Sequence, residues 1–190
     1  LQRAAQFPTL DQVIHSYSVQ LLDFENEKIP IHALDSIDTV FHLAGFAHDT
    51  NTGDKVFNRY QKINVEATIQ LANLAKDKGV KRFVFVSSVK AGNDDNVDEY
   101  LSYNNVNEPE GIYGKTKREA ELRLLELCRN SMMHIAIIRP ALVYGPSVKG
   151  NLKMMFSGIK KGWFPPLPNT HNCRSMIHVD DLVKALVFVA

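Results

Sequence analysis

Short apolar runs alternate along the chain with longer segments of helical periodicity. The apolar runs predict strands at residues 19–22, 40–44, 82–86 and 134–138. The helical periodicity predicts helices at residues 55–78, from 113 to about 130, at 152–161 and from about 180 onward. Strands that alternate with helices indicate βαβ units and a parallel sheet. The strands are apolar throughout, which predicts that helices cover both faces of this sheet.

Small and polar residues follow each of the predicted strands. They are Asp23, Ala44-Gly45, Ser87-Ser88 and Pro140. In an open parallel sheet, ligands bind beyond the carboxyl ends of the strands. The ends of these strands therefore indicate one binding rim.

Ser88, Tyr113 and Lys117 form a candidate acid/base site at this rim. Tyr113 and Lys117 lie at i and i+4 in a predicted helix, so their side chains share one helix face. A nearby ammonium favours the phenolate, which predicts that Lys117 lowers the pKa of Tyr113 from about 10. Such a phenol can exchange a proton with a carbinol or a carbonyl, and Ser88 can hydrogen-bond the same oxygen. Taken singly, the Tyr-Lys spacing is common, and a serine after a strand is often a cap.

The overall composition is that of a globular protein without a strong charge bias. The chain has 190 residues, of which 45% are hydrophobic and 23% charged, and its formal net charge is +1. No field of one sign attracts nucleic acid or an anionic membrane, and no apolar run approaches the ~20 residues of a membrane span. The two cysteines and seven histidines form neither a disulfide framework nor a metal-ligand pattern. We therefore expect a cytoplasmic protein with no metal, no nucleic-acid partner and no membrane partner.

Six motifs, in their order along the chain, resemble those of the extended short-chain dehydrogenase/reductases. They are HLAGFAH at 42–48, INVEAT around Asn64, VFVSS at 84–88, YGKTK from Tyr113, RPALVYGP at 139–146 and HVDDL at 178–182. More narrowly, the motifs are similar to those of the nucleotide-sugar epimerase and 4-keto-reductase branch. The resemblance implies a Rossmann-like doubly wound parallel sheet, NAD or NADP as the cofactor, and a UDP-sugar as the substrate.

The resemblance also implies a role for each candidate residue. Tyr113 is the acid/base, Lys117 tunes it and binds the ribose, and Ser88 is the second donor to the reacting oxygen. The residues implied to bind the cofactor are Asp23, Phe24, Leu43, Ala44, Gly45, Asn64, Tyr113, Lys117, Pro140 and Val143. Simpler roles stay open for some of these. Asp23 could cap a turn, Asn64 could join strand and helix backbone as a buried support, and the segment 43–45 could serve only packing.

The segment after Pro146 resembles the part of these enzymes that binds the nucleotide sugar. Asn151 begins a predicted helix, where its side chain and the helix N-terminus could hold the diphosphate. Arg174 is the candidate for a forked phosphate contact, and a surface position beside Asp180 or Asp181 is the alternative. Ser88 completes the implied substrate contacts. We divide the chain into an NAD(P)-binding domain with an incomplete N-terminus (1–146), part of a substrate-binding region (147–175) and a return to the first domain (176–190).

Three departures from the family pattern qualify what the resemblance implies. The first strand and its glycine-rich loop, G-x-x-G-x-x-G, are absent upstream of Asp23, so the sequence offers no backbone cradle for the pyrophosphate. We therefore expect an internal portion of a longer enzyme that, by itself, binds NAD weakly and is inactive. Leu142 stands where many sugar epimerases have Asn and resembles the amino-sugar 4-epimerase/4-reductase subgroup. Lys90 stands where dehydratases place an Asp-Glu pair, which argues against dehydration.

The first functional hypothesis is an NAD(P)-dependent epimerase that acts at C4 of a UDP-hexose or a UDP-N-acetylhexosamine through a 4-keto intermediate. A 4-keto-sugar reductase would use the same residues and is the nearest alternative. A dehydrogenase of a lipophilic ketone fits less well, because such substrates carry no diphosphate for Asn151 and Arg174. A non-catalytic nucleotide-binding relative is favoured by the missing loop and opposed by the intact acid/base residues. A homodimer could form through the helix at 55–78 and the helix that begins at Tyr113.

Overall fold

The fold is described from a computed structural model. It covers residues 20–47, 53–92, 109, 111–129, 131–146, 148, 151–163 and 175–190. Within these residues the strands are β1 Thr39–His42, β2 Arg82–Val86, β3 His134–Ile138, β4 Leu142–Tyr144 and β5 Met176–His178. The first three form one parallel sheet in the order β1-β2-β3, and the last two form a smaller parallel pair. The predicted α/β class and the parallel pairing are confirmed.

The helices within the described residues match the helical periodicity of the sequence. They are α1 Asp54–Tyr60, α2 Ala67–Asp77, α3 Gly111–Arg129, α4 Asn151–Lys160 and α5 Val179–Phe188. A π-helical segment, Gln61–Glu66, joins α1 to α2, so the helix predicted at 55–78 is continuous but widened in its middle. The sequence analysis did not predict this widening. Short 3₁₀ turns occur at Ile31–Leu34 before β1 and at Val89–Ala91 after β2.

The side chains of β2 alternate between two apolar cores, one on each face of the sheet. Phe83 and Phe85 are fully buried in a core that includes residues of α2 and α3, such as Ala72 and Leu124. Val84 points the other way and packs with residues of α5. Helices therefore cover both faces of β2, as the unbroken apolar run of this strand predicts. This is the doubly wound arrangement that the sequence analysis expects.

The carboxyl ends of β2 and β3 stay joined beyond the last residue of β2. The backbone N–H of Ser87 donates to the carbonyl of Ile138 at 2.7 Å, and that of Val89 donates to the carbonyl of Pro140 at 3.2 Å. Ser88 lies between these two bonds. The sheet thus holds the segment around Ser88 against the end of β3.

The small sheet of β4 and β5 is a feature that the sequence analysis missed. Each strand has three residues, too few for an alternating pattern to show. After β5, His178 caps α5, because its Nδ1 accepts a hydrogen bond from the Asp180 N–H at 3.3 Å. β4 lies in the first predicted segment and β5 in the last, and the predicted domain boundaries stay predictions.

The strand predicted at residues 19–22 does not form in its described part. Residues 20–22 belong to no strand, and Leu21 is 78% exposed, while Val19 lies outside the described residues. A strand needs a hydrogen-bonded neighbour, and no described strand lies beside this segment. Across the described ranges, no helix is both long enough and apolar enough to cross a membrane.

Candidate active site at the carboxyl ends of β2 and β3

Ser88 and Tyr113 meet at the carboxyl end of β2. The Ser88 hydroxyl begins the 3₁₀ turn by accepting a hydrogen bond from the Lys90 N–H at 3.2 Å. The Ser88 hydroxyl also lies close enough to the phenol of Tyr113, near the start of α3, to act on the pKa of that phenol. The structure therefore brings together these two predicted catalytic residues, although a long segment of sequence separates them.

Gly114 allows α3 to come close enough for this contact. A Cβ at position 114 would overlap the carbonyl oxygen of Lys90, which belongs to the turn after Ser88. Backbone atoms cannot move aside as a flexible side chain can, so any other residue would push the first turn of α3 away. Tyr113 immediately precedes Gly114, so the close approach of Tyr113 to Ser88 depends on this glycine.

Burial dominates the acidity of Tyr113. It raises the pKa of the phenol above its ordinary value, the hydrogen bond with Ser88 opposes this rise, and the phenol of Tyr60 adds to it. The ring of Tyr60, which is itself buried, lies 6.4 Å from that of Tyr113. The prediction that Lys117 lowers the pKa of Tyr113 is wrong for this structure, because the Lys117 ammonium has other partners.

Lys117 lies on the buried side of α3, with only 3% of the residue exposed. Its Nζ donates a hydrogen bond to the carbonyl of Val86 at 3.0 Å and stands 4.6 Å from the ring centre of Phe85. Burial lowers the pKa of Lys117 to about 8, against an opposing effect of the Glu121 carboxylate. The ammonium is therefore placed at the end of β2 but is only partly stabilised in its charged form.

Asn64 lies in the π-helical segment and is fully buried. Its Oδ1 accepts from the Phe46 N–H at 2.7 Å, and its Nδ2 donates to the Phe46 carbonyl at 3.1 Å and to Thr116 Oγ1 at 3.2 Å. The side chain thus ties the loop after β1 to α3, one residue before Lys117. These contacts favour the supporting role over a direct contact with ligand, since both ends of the amide already have partners.

Glu121, one turn beyond Lys117, anchors a buried ion network that the sequence analysis missed. Arg139 donates from Nε and Nη2 to its two carboxylate oxygens at 2.8 and 2.6 Å. Arg118 donates to the second oxygen at 3.1 Å. Burial raises the pKa of Glu121, but hydrogen bonds and charge from Arg139, with help from Ser87 and Arg118, bring the net pKa below its ordinary value. The sequence did contain one signal of this network, which is an acidic residue on the same face of α3 as Tyr113 and Lys117.

His42 is a second buried polar residue near the site. It is 3% exposed, and its Nε2 lies 2.8 Å from Thr68 Oγ1 of α2. Burial, with a smaller effect of the Lys117 charge, lowers the pKa of His42 to about 4. The imidazole is therefore neutral near pH 7, and its ring stacks on Phe85 at 5.7 Å. The alternation of β1 places His42 on the same face as Val40.

The loop after β1 presents open backbone beside Lys117. Leu43 is 62% exposed, Ala44 is half-buried and Gly45 is exposed. A Cβ on Gly45 would lie 3.1 Å from Lys117 Nζ and 3.4 Å from Asn64 Oδ1. Accessible backbone this close to an ammonium is compatible with the nicotinamide-ribose half of a dinucleotide, whose binding here stays a prediction. For the pyrophosphate half, the chain contains no G-x-x-G-x-x-G sequence.

Asp23 and Phe24 use their side chains within the fold. The Asp23 carboxylate accepts from the Glu25 N–H at 2.9 Å and from Asn26 Nδ2 at 2.8 Å, so it caps a turn, as the simpler interpretation has it. These hydrogen bonds, led by that from Asn26, lower the pKa of Asp23. The ring of Phe24 meets the His42 ring edge-on at 6.3 Å. Contact of either residue with adenine stays a prediction.

The remaining predicted residues fall into two groups. Pro140 accepts a hydrogen bond from the turn after Ser88, and Val143 of β4 packs with the core on the α5 side of the sheet. The structure thus places Pro140 at the rim and Val143 beneath it. Asn151 is the first residue of α4, but its side chain lies outside the described structure, as does the whole of Arg174. Substrate binding by these two residues stays a prediction.

Comparison with known proteins gives one family for this chain. The family described as "NAD dependent epimerase/dehydratase family" matches residues 2–190. The UDP-glucose 4-epimerase of Vibrio cholerae is 36% identical over 159 residues, which are 81% of this chain and 48% of that protein. An N-acetyl-alpha-D-glucosaminyl-diphospho-ditrans,octacis-undecaprenol 4-epimerase of Escherichia coli O157:H7 is 29% identical over 89% of this chain and 50% of its own length.

The solved structures support the same fold. MoeE5 in complex with UDP-glucose and NAD superimposes with a TM-score of 0.72 at 27% identity, over 84% of this chain and 54% of that chain. The chain spans about half the length of the curated relatives it matches. The predicted Rossmann-like fold is confirmed, and so is NAD as the cofactor of the family. The chain accordingly belongs to the NAD dependent epimerase/dehydratase family.

Proposed function

We propose that the protein is an NAD-dependent nucleotide-sugar 4-epimerase, acting at C4 of a UDP-hexose or a UDP-N-acetylhexosamine through a 4-keto intermediate. The observation that carries this proposal is the position of Ser88 at the carboxyl end of β2 beside Tyr113 of α3, where the Ser88 hydroxyl acts on the pKa of the phenol. Two hydroxyl groups this close together can both reach one substrate oxygen. The names of two relatives, both 4-epimerases of glucose-type sugars, support position C4.

In the proposed reaction, Tyr113 accepts the proton of the C4 hydroxyl while Ser88 hydrogen-bonds the same oxygen. The bound NAD supplies the acceptor for the hydride that leaves C4. Loss of the proton and the hydride leaves a 4-keto sugar. Return of the hydride to the opposite face of C4, with return of the proton to the C4 oxygen, gives the epimer. Because burial raises the pKa of Tyr113, the phenolate needs a positive charge nearby. In the structure, the Lys117 ammonium does not act on the Tyr113 pKa. In the proposed reaction this ammonium, one turn away on α3, supplies the charge when cofactor and substrate are bound.

Lys117 has a second role in this proposal. Its Nζ is fixed by the carbonyl of Val86 and lies close to the backbone of Gly45. Both contacts hold the ammonium at the edge where the ribose of a dinucleotide would lie. The exposed backbone at residues 43–45 would line that dinucleotide, while Asn64 keeps the loop in place.

The test is an epimerisation assay on the full-length protein that contains this chain. Pairs of UDP-hexoses and UDP-N-acetylhexosamines that differ only at C4 are supplied with catalytic NAD, and nuclear magnetic resonance follows the conversion. The proposal expects interconversion of one pair with no net change in the absorbance of the reduced cofactor. A Tyr113→Phe variant serves as the control for catalysis by this site.

Two other results would replace the proposal. Stoichiometric oxidation of a reduced nicotinamide cofactor with a 4-keto sugar would make the protein a reductase. Absence of UDP binding in a calorimeter, together with turnover of a lipophilic alcohol, would make it a dehydrogenase of another substrate class. Neither outcome would alter the assignment of Ser88, Tyr113 and Lys117.

A further inference from the structure

Glu121 joins α3 to the end of β3 at the candidate site. It lies on α3, and its main partner Arg139 directly follows β3. Only 1% of Glu121 is exposed. A buried carboxylate is costly unless it is fully paired, so these contacts hold the two elements at a defined separation. The end of β2, which carries Ser88, is in turn bonded to β3 through the Ser87 N–H and the Ile138 carbonyl.

Within the described residues, one carboxylate acts on the charge of Lys117. From β1, His42 faces it as a neutral imidazole, and from the π-helical segment Asn64 presents an amide. On α3 itself, the half-buried Tyr113 is one turn before it and Glu121 one turn after it. Among these groups, Glu121 is the one that opposes the effect of burial on the Lys117 pKa.

We propose that Glu121 is a positioning residue of the candidate site, which keeps Lys117 in its ammonium form and holds the end of β3 against α3. Its catalytic consequence rests on the proposed function, because a charged Lys117 matters there for the Tyr113 phenolate. The structural and electrostatic roles of Glu121 do not depend on the proposed function. Arg139 and Arg118 then keep the carboxylate ionised, so the charge next to Lys117 is constant over the working pH range.

The direct test is a pH titration of Lys117 by nuclear magnetic resonance of ¹³C-labelled lysine side chains, in the full-length protein. A Lys117→Met variant identifies the Lys117 signal by its disappearance. In Glu121→Gln, which is nearly the same shape without the charge, the midpoint of Lys117 should move to lower pH. An unchanged midpoint, or one that moves to higher pH, would overturn the proposal.

The matched control is Glu119→Gln, which makes the same charge change on the same helix. Glu119 pairs with Gln61 and Arg123 at a more exposed position, so the midpoint of Lys117 should stay in place. A shift as large as that in Glu121→Gln would show that any charge on α3 acts on Lys117. That result would remove the special role of Glu121.

A double variant keeps the test possible if Glu121→Gln does not fold. Glu121→Met with Arg139→Met removes both charges of the ion pair, a change that proteins often tolerate because neither charge is left alone. The Lys117 midpoint should again move to lower pH. Its failure to do so in a folded protein would also overturn the proposal.

Activity gives a separate readout. If the proposed function is right, the alkaline limb of the kcat profile moves to lower pH in Glu121→Gln, while Glu119→Gln keeps the original profile. A merely structural role would reduce kcat by the same factor at every pH, and that outcome would refute the electrostatic role. If the wild-type protein epimerises nothing, the proposed function fails, whereas the lysine titration still decides the role of Glu121.

Discussion

Two neighbouring regions of the candidate site are built in opposite ways. In the α3 wall, formed by Tyr113, Lys117 and Glu121, Tyr113 is half-buried and the other two are buried, with 3% of Lys117 and 1% of Glu121 exposed. The β1 rim, residues 43–47, is more open, and Leu43 is 62% exposed. The charged groups of the α3 wall bond to other parts of the protein. In the β1 rim, Leu43 and Gly45 are exposed, and Asn64 holds the backbone of Phe46.

Under the proposed function, this difference separates the residues of the chemical step from those that bind the cofactor in the described part of the chain. The acid/base groups need fixed distances, and burial with full pairing supplies them before any ligand arrives. A cofactor surface instead needs accessible backbone. Substitutions in the α3 wall should therefore change turnover or stability strongly, while substitutions at the β1 rim and its neighbours should act weakly and through binding.

Removal of the Tyr113 hydroxyl should have the largest effect. In Tyr113→Phe, turnover by the full-length protein should fall by a factor of about 10² to 10⁴, because the acid/base group is lost. Binding of NAD should persist, since the ring stays in place. Tyr144→Phe is the matched control, as Tyr144 is a half-buried phenol at the end of β4. Comparable kcat values for Tyr113→Phe and the wild type would contradict the assignment.

The second-largest effect should come from the addition of a methyl group at Gly114. Gly114→Ala places a Cβ against the Lys90 carbonyl, so α3 must shift, at a cost of roughly 1–3 kcal/mol in the free energy of unfolding. Turnover should fall further than this instability explains, because Tyr113 moves away from Ser88. Gly92→Ala is the control, since a Cβ there would make ordinary van der Waals contacts, the nearest with Arg139 Nη1 at 3.4 Å. Equal stability and turnover of the two variants would show that the helix adapts.

His42, which lies where β1 meets the core behind α3, should control stability in acid. Its pKa of about 4 in the fold lies below the unfolded value of about 6.5. Between these values the unfolded chain binds more protons, so acidification from about pH 6.5 to 4 should remove about 3 kcal/mol of stability. Denaturant unfolding at several pH values should show this loss.

In His42→Gln, the loss of stability on acidification from about pH 6.5 to 4 should disappear. His134→Gln, a change at an exposed position of β3, should retain the wild-type dependence. If His42→Gln keeps the full acid dependence, the buried imidazole is not its source.

Substitution of Asp23 should give the smallest effect. It distinguishes a turn-capping role of Asp23 from a contact with the adenine of the cofactor. Asp23→Asn keeps an oxygen for the Glu25 N–H, so a turn-capping role predicts unchanged affinity for NAD in calorimetry. Asp23→Ala loosens the turn and should weaken affinity by about threefold. Should Asp23→Asn bind as poorly as Asp23→Ala, the carboxylate itself contacts the adenine half of the cofactor.

Sequence alone was sufficient where a pattern is local. The bounds of β2 and β3 agree with the predicted 82–86 and 134–138 because unbroken apolar runs mark buried parallel strands. The pairing of Tyr113 with Ser88 was also accessible, since strand ends in a parallel sheet share one edge. The helix periodicity likewise located α3.

Features that depend on residues distant in the sequence could not be predicted from the sequence. The apolar run at 19–22 looks like a strand, yet residues 20–22 form none without a described neighbour to pair with. Glu121 looks like an ordinary helix charge until Arg139 is placed beside it by β3. The direction of the Tyr113 pKa was wrong because helix spacing does not reveal burial or where the Lys117 ammonium points.

The most direct test of the central claim uses a UDP-sugar with deuterium at C4, incubated with the full-length protein in ordinary water. If Tyr113 removes the hydroxyl proton while the C4 hydrogen leaves as hydride and returns, the epimer retains deuterium at C4, and Tyr113→Phe forms the epimer at least about 10² times more slowly. Loss of deuterium to water during epimerisation would contradict the account, because it would mean that C4 is deprotonated directly. Epimerisation that continues at the wild-type rate in Tyr113→Phe would contradict it as well.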